Sequence, residues 1–387
     1  MITKVVYIGY QPLTEKVKSD FYFNIVLENG FELEYWDLSS IYFPNVLKDN
    51  LFEDYIFKMN TFTELERMIA LQNKEKCIYV LHITFEYRVI RLFKLLTQYN
   101  CKTSFFARGA LPICGDISPI TLKIKKGLNP KLLLNFAKNK YAMYLKKSGK
   151  IKFYDLVFSA GELGYLSIGC GSQIDKLNSK FININSTDFD AFFDNVTVKK
   201  SIEKKYCLFL DEYLPHHPDF ILLGIKAVPA DVYYSTLNDF FNIIEEKYNL
   251  EVVIAAHPKA LGYKNKNPFN GRDVFFNDTA RLTKFSEFTL THLSTSQSFS
   301  VLNNKPILSL TSDCLKNVMP QYNRFISYMS DVLGSSFVNV DHFLINELNV
   351  SNTDNLKYDD YKYKYLTSAI SEKENSSDIF IKTISQL

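Results

Sequence analysis

Short β-rich runs alternate with longer amphipathic stretches along most of the chain, and this alternation restricts its fold more than any other feature. Strands joined through helical crossovers lie parallel, and a parallel sheet must be covered on both faces, so its strands read as continuously apolar. Lys4–Tyr10, Glu32–Asp37, Cys77–Thr84, Thr103–Ala107, Tyr154–Ser159 and Lys180–Asn185 have this character, with helical periodicity over Thr63–Gln72 and Glu86–Gln98. A polar, charged stretch, Thr197–Lys205, then interrupts the pattern. It restarts with strands at Tyr206–Asp211, Glu251–Ala256, Asp273–Asn277, Phe288–His292 and Pro306–Leu310, and helices at Asp231–Tyr248 and Ser294–Asn303. With 387 residues, 47% of them hydrophobic, there is apolar material for two cores. The expected architecture is α/β, with domains at 1–196 and 197–345 and a Tyr/Lys-rich helical tail at 346–387 that crosses back to the first domain.

Charge looks uninformative as a total: 45 Lys plus Arg against 42 Asp plus Glu, a formal net charge of +3. Its distribution is uneven. Ile117–Tyr154 holds ten Lys and no acidic residue, which leaves 35 basic and 42 acidic groups elsewhere. No apolar run reaches the roughly 18 residues of a spanning helix, and the first residues lack a signal-peptide pattern, so a cytoplasmic, at most peripheral protein is expected. The cysteines Cys77, Cys101, Cys114, Cys170, Cys207 and Cys314 are scattered without C-x-x-C spacing and read as reduced thiols. The six His form no ligand cluster, and no metal site is expected.

Open α/β sheets bind ligands at the carboxyl ends of their strands, and three polar runs in the second half fall there. In Leu208-Phe-Leu-Asp-Glu-Tyr-Leu-Pro-His-His-Pro218, Asp211 and Glu212 stand at a strand tip, placed to act as general base or nucleophile or to cap the turn. His216 and His217 shape the loop that follows, and His217 is a candidate substrate contact. In Val252-Val-Ile-Ala-Ala-His-Pro-Lys259, Pro258 ends the strand, His257 offers a hydrogen bond and Lys259 adds positive charge, a combination suited to a phosphate. The third run, Phe288–Ser298, crowds Ser294, Thr295, Ser296 and Ser298 at a helix start, more hydroxyls than capping requires.

The first half offers weaker candidates. Arg108 and Gly109 follow a strand in Phe106-Ala-Arg-Gly-Ala-Leu-Pro112, where they either face an anionic substrate or form a simple turn. Glu162 lies in Ser159-Ala-Gly-Glu-Leu-Gly164, whose glycines do not make a G-x-G-x-x-G motif. Asp188-Phe-Asp190 has a divalent-metal spacing but opens a helix after Ser186-Thr187, so it reads as a cap with first-turn acids.

Asp-Glu after one strand, His-Pro after the next and a Ser/Thr cluster after a third resembles the bacterial sialyltransferases and related transferases that use CMP-activated keto-sugar acids. It also resembles the wider group of GT-B surface-polysaccharide glycosyltransferases, over roughly Tyr206–Leu310. The resemblance implies two Rossmann-like domains facing a central cleft, with Asp211 or Glu212 catalytic. It also implies that His257 contacts the CMP phosphate and that Ser294, Thr295 and Ser296 hold that phosphate or the donor carboxylate. Sialic acid, pseudaminic acid and Kdo are all donors that leave CMP, and the acceptor would be a capsule, lipopolysaccharide or lipooligosaccharide glycan. No cofactor and no metal is then required, since imidazole, hydroxyls and a helix N-terminus can stabilise the departing charge. The family's acidic motif normally ends in Gly, where this chain has Tyr213. An NDP-hexose transferase, a UDP-sugar epimerase and a carbohydrate-assembly scaffold without turnover are the competing readings. A nucleic-acid module is disfavoured, because the basic block lacks an RNA-recognition or helix-turn-helix pattern.

Within that block a helix is expected from Asn129-Pro130 to about Lys147. Leu133, Phe136, Ala137, Tyr141 and Tyr144 share an apolar arc flanked by Lys140 and Lys147, while Lys131, Lys138 and Lys146 point away from it. Two expectations follow: a core-packed helix with a solvated basic face, or docking of 117–154 on an anionic membrane.

Overall fold

The computed structural model describes residues 1–44, 51–112, 130–195, 197–218, 220, 226–346, 348–350 and 352–387. Cys114, residues 117–129 of the basic block and the Lys131 side chain lie outside the description. The chain divides into two compact units. Of the described residues, the first holds Met1–Leu111, 130–187 and Lys364–Leu387; the second holds Pro112 and Asp188–Tyr363.

In the first unit seven strands form one parallel sheet: β1 (Lys4–Gly9), β2 (Glu32–Asp37), β3 (Ile56–Lys58), β4 (Cys77–His82), β5 (Thr103–Ala107), β6 (Leu156–Ala160) and β7 (Lys180–Ile184). Their order is β3-β2-β1-β4-β5-β6-β7, so the winding reverses between β1 and β4. Side chains alternate between the faces as the pleat demands. Val6 and Ile8 join Trp36, Tyr79, Leu81 and Phe105 on one face; Val5 and Tyr7 join Tyr35, Val80, Phe106 and Phe158 on the other.

The polar tail completes that second face. Its helix Ser376–Ser385 buries Phe380 against Phe106 and Phe158, with ring centroids 5.1 Å from each. The tail's backbone is fixed by Leu163 N donating to Lys364 O at 2.8 Å and Ser186 N donating to Leu366 O at 2.7 Å. Gly161 has φ +65°, and a Cβ there would stand 2.5 Å from the Lys364 carbonyl oxygen. Gly161→Ala is therefore expected to cost about 1–3 kcal/mol and to speed proteolysis within 364–387. Gly149→Ala is the control: φ is +72°, but nothing lies within 4 Å of the added carbon. Equal proteolysis of the two variants would show that the tail does not depend on the space at Gly161.

The second unit carries β8 (Tyr206–Leu210), β9 (Glu251–Ala256), β10 (Val274–Phe276), β11 (Thr289–Thr291), β12 (Ile307–Thr311) and β13 (Ser336–Asn339). All are parallel, in the order β10-β9-β8-β11-β12-β13, and the winding reverses between β8 and β11. Cys207 and Phe209 pack on one face with Ile254, Leu290 and Leu308; Tyr206, Leu208 and Leu210 pack on the other with Val253 and Ala255.

Several expectations need correction. The short edge strands β3 and β13 were not anticipated, and the helix expected at Ser294–Asn303 is confined to Gln297–Leu302. The basic helix spans Pro130–Lys147, but its packing opposes the core-packed reading. Leu133, Phe136, Tyr141 and Tyr144 are exposed, whereas Lys146 is fully buried with both Asp175 carboxylate oxygens 2.7 Å from its Nζ.

Candidate functional site

The expected residues of the second half assemble where three adjacent strands end. Asp211 and Glu212 follow β8, His257 follows β9, and His292-Leu293-Ser294 follow β11, so the cluster lies at the winding reversal where doubly wound sheets accommodate ligands.

Asp211 is only 3% exposed. Its Oδ1 accepts the Tyr213 N–H at 3.1 Å and its Oδ2 accepts the His257 N–H at 3.3 Å, which ties the end of β8 to the end of β9. Burial pushes its pKa up to about 6, while those backbone donors and the Tyr263 hydroxyl hold it from rising further. Tyr213 adopts φ +55°, the left-handed region that glycine occupies most readily.

Glu212 ties β8 in the other direction. Its Oε1 accepts the Leu293 N–H at 2.6 Å and its Oε2 accepts the Tyr322 hydroxyl. The residue as a whole is half-buried. Burial raises its pKa to about 8; the Leu293 N–H opposes the rise and the charge of Asp211 adds to it. The two carboxyls titrate as a pair, and Glu212 gives up its proton nearer to neutrality than an ordinary carboxyl does.

His257 is half-buried, and its Nδ1 accepts the Lys259 N–H at 3.1 Å. That bond selects the neutral tautomer with the proton on Nε2, a donor suited to an anionic oxygen. His217 lies beside it, with ring centroids 4.9 Å apart and planes at 69°. Pro258 and Lys259 are exposed beyond the strand end. Among the described residues no group of three His, Cys, Asp or Glu side chains could hold a metal ion.

The hydroxyl cluster divides. Ser294 Oγ accepts the Ser296 N–H at 3.4 Å, and the Ser294 N–H is held by Thr291 Oγ1 at 3.2 Å, so this turn hangs on the end of β11. Thr295 is exposed and Ser296 half-buried. Ser298 is 1% exposed and donates to Asp188 in the first turn of helix Thr187–Asp194, so its hydroxyl ties two helices of the second unit and belongs to the fold rather than to an anion site.

The first-unit candidates lie elsewhere. Arg108 donates from Nη1 to the Tyr22 hydroxyl at 2.6 Å and from Nη2 to the Asp20 carbonyl, and stacks 4.7 Å from the Phe106 ring centroid. Its guanidinium is engaged inside its own unit. Gly109 and Glu162 are exposed, while Gly161 and Gly164 admit close backbone neighbours within the first unit.

Sequence reasoning did not single out Tyr263, Tyr322 or His292. His292 is buried, facing Leu310 O from Nδ1 at 2.8 Å and the Tyr233 hydroxyl from Nε2 at 3.1 Å, and burial lowers its pKa to about 4. It stays neutral and supports the end of β11. Its position directly after a strand was a usable signal; the two tyrosines, among 25 in the chain, carried none.

No protein-family model matches this chain, and no curated protein matches it. Solved structures do. The UDP-GlcNAc 2-epimerase of Methanocaldococcus jannaschii is 11% identical, with 100% of this chain and 99% of that one covered and a TM-score of 0.45. The wall teichoic acid polymerase TagF is 12% identical over 99% of this chain and 89% of that one, with a TM-score of 0.49. MnaA of S. aureus, solved with UDP, is 12% identical over 100% and 96%, with a TM-score of 0.44.

Proposed function

We propose that this chain is a GT-B-type glycosyltransferase that moves a keto-sugar acid from a CMP donor to a hydroxyl of a surface glycan, with Glu212 as general base. The observation that carries this reading is the placement of Glu212 at the winding reversal. It is half-buried, accepts the Leu293 N–H at 2.6 Å, has its pKa raised by burial to about 8, and is joined through Asp211 to the strand end that bears His257. Glu212 takes the acceptor hydroxyl proton as that oxygen attacks the anomeric carbon. The bond from that carbon to the CMP oxygen breaks, and its electron pair leaves with the phosphate. His257 Nε2–H, Ser294, Thr295 and Ser296 donate to the phosphate oxygens, and Lys259 adds charge. Asp211 positions both strand ends.

Thermal unfolding with CMP, UDP and GDP tests the donor class. CMP at a hundredfold excess over its Kd is expected to raise Tm on the order of 5–10 °C, and His257→Ala to remove most of that rise. Protection by UDP or GDP alone overturns the CMP assignment, and no protection by any of the three overturns the nucleotide-sugar reading. Acceptor-independent turnover of a UDP-sugar would identify an epimerase instead.

A further inference from the structure

The helix Pro130–Lys147 is inverted relative to an ordinary surface helix. Leu133, Leu134, Phe136, Tyr141 and Tyr144 are each about half or more exposed, between 49% and 62%, while the side chains turned inward are Ala142, Leu145 and the charged Lys146. Such a run of large apolar groups on one helix is not the scatter of single exposed hydrophobics found on any protein surface. The charges among them have one sign. Lys140 lies over the Phe136 ring at 5.2 Å, Lys138 over the Tyr87 ring at 5.4 Å, and Lys147 is exposed one turn past Tyr144. The helix itself contains no acidic residue, although 42 are distributed through the rest of the chain.

Its inner side is anchored. Lys146 holds Asp175 at 2.7 Å, and Asn139 Oδ1 accepts the Tyr87 N–H at 3.0 Å, so the outward face is presented by a helix fixed to the first unit. Among the described residues no helix is long and apolar enough to cross a membrane, and an apolar face bordered by lysines suits a helix that lies in the interface plane.

We infer that the outward face of helix Pro130–Lys147 docks on an anionic lipid bilayer, with Phe136, Tyr141 and Tyr144 entering the headgroup boundary and Lys140 and Lys147 meeting lipid phosphates. Aromatic residues with a polar edge suit that depth, and lysine stems reach from the apolar boundary to the charged layer. Charge complementarity selects this occupant: a second copy would oppose lysine to lysine across the same face.

The test is co-sedimentation of the full chain with phosphatidylcholine vesicles, with and without about one-third phosphatidylglycerol. Binding is expected only to the anionic vesicles, weakening as salt rises. Lys140→Glu with Lys147→Glu should weaken it about tenfold or more. Phe136→Ser with Tyr141→Ser and Tyr144→Ser should do the same while leaving the thermal transition in place. Absence of wild-type binding, equal binding to both vesicle types, or unchanged binding by either variant overturns the inference. So does self-association in solution, abolished by the serine variant and accompanied by no vesicle binding. None of these readouts depends on catalytic activity.

Discussion

Lys146→Ala is expected to destabilise the first unit by about 3–5 kcal/mol, the cost of leaving a buried carboxylate without its counter-charge. Both side chains of the Lys146–Asp175 pair are 0% exposed, and the ammonium also lies 4.1 Å from the Phe85 ring centroid and 4.6 Å from that of Tyr154. Burial lowers the lysine's pKa and raises the aspartate's, and each is partly restored by the other. Truncating one member therefore does more harm than removing both. Lys146→Met with Asp175→Leu is expected to lie within about 1 kcal/mol of the wild type or above it, because apolar groups of similar volume escape the desolvation penalty. Urea unfolding followed by tryptophan fluorescence reads this directly, since the single Trp of the chain, Trp36, is buried in the first unit. A single-variant loss below about 1 kcal/mol would mean that water reaches the pair.

Glu212→Gln is expected to lower the transfer rate by about 10²–10⁴-fold while leaving CMP protection in place, the signature of a lost general base rather than a lost binding group. In the wild type the rate should rise with pH through about 8, because the base must be ionised. Stability should move the opposite way. The folded carboxyl holds its proton to about 8 whereas the unfolded one releases it near 4.5, so the native state is favoured at low pH and loses that advantage as pH climbs between the two values. Glu212→Gln should flatten this fall, making the variant the more stable protein at pH 9 relative to its standing at pH 5. Paired rate and stability profiles check both signs. A variant that loses CMP protection, or a rate that does not respond to pH near 8, assigns the base elsewhere.

The sheets were legible because parallel strands buried on both faces cannot avoid continuous apolar runs, and eleven such runs correspond to observed strands. β3 and β13 escaped because edge strands of three and four half-exposed residues carry too few apolar positions to stand out. The strand-end residues Asp211, Glu212 and His257 were legible for the same reason: polar groups at the tips of apolar runs are conspicuous. Tyr263 and Tyr322 were not, since each reaches the carboxylates across more than fifty residues of chain. The Pro130–Lys147 helix shows the limit most clearly. Periodicity identified which residues share a face, but the direction of that face depends on Asp175, 29 positions away, which draws Lys146 inward.

The return of residues 364–387 to the first sheet sets an order of assembly. On a ribosome the strands of the first unit emerge first, yet Phe380 and Ile384, which seal one of its faces, emerge only after the whole second unit. The second unit can close while the first still lacks the Phe380 cover over Phe106 and Phe158. The unit whose strands emerge first is therefore the last to be completed.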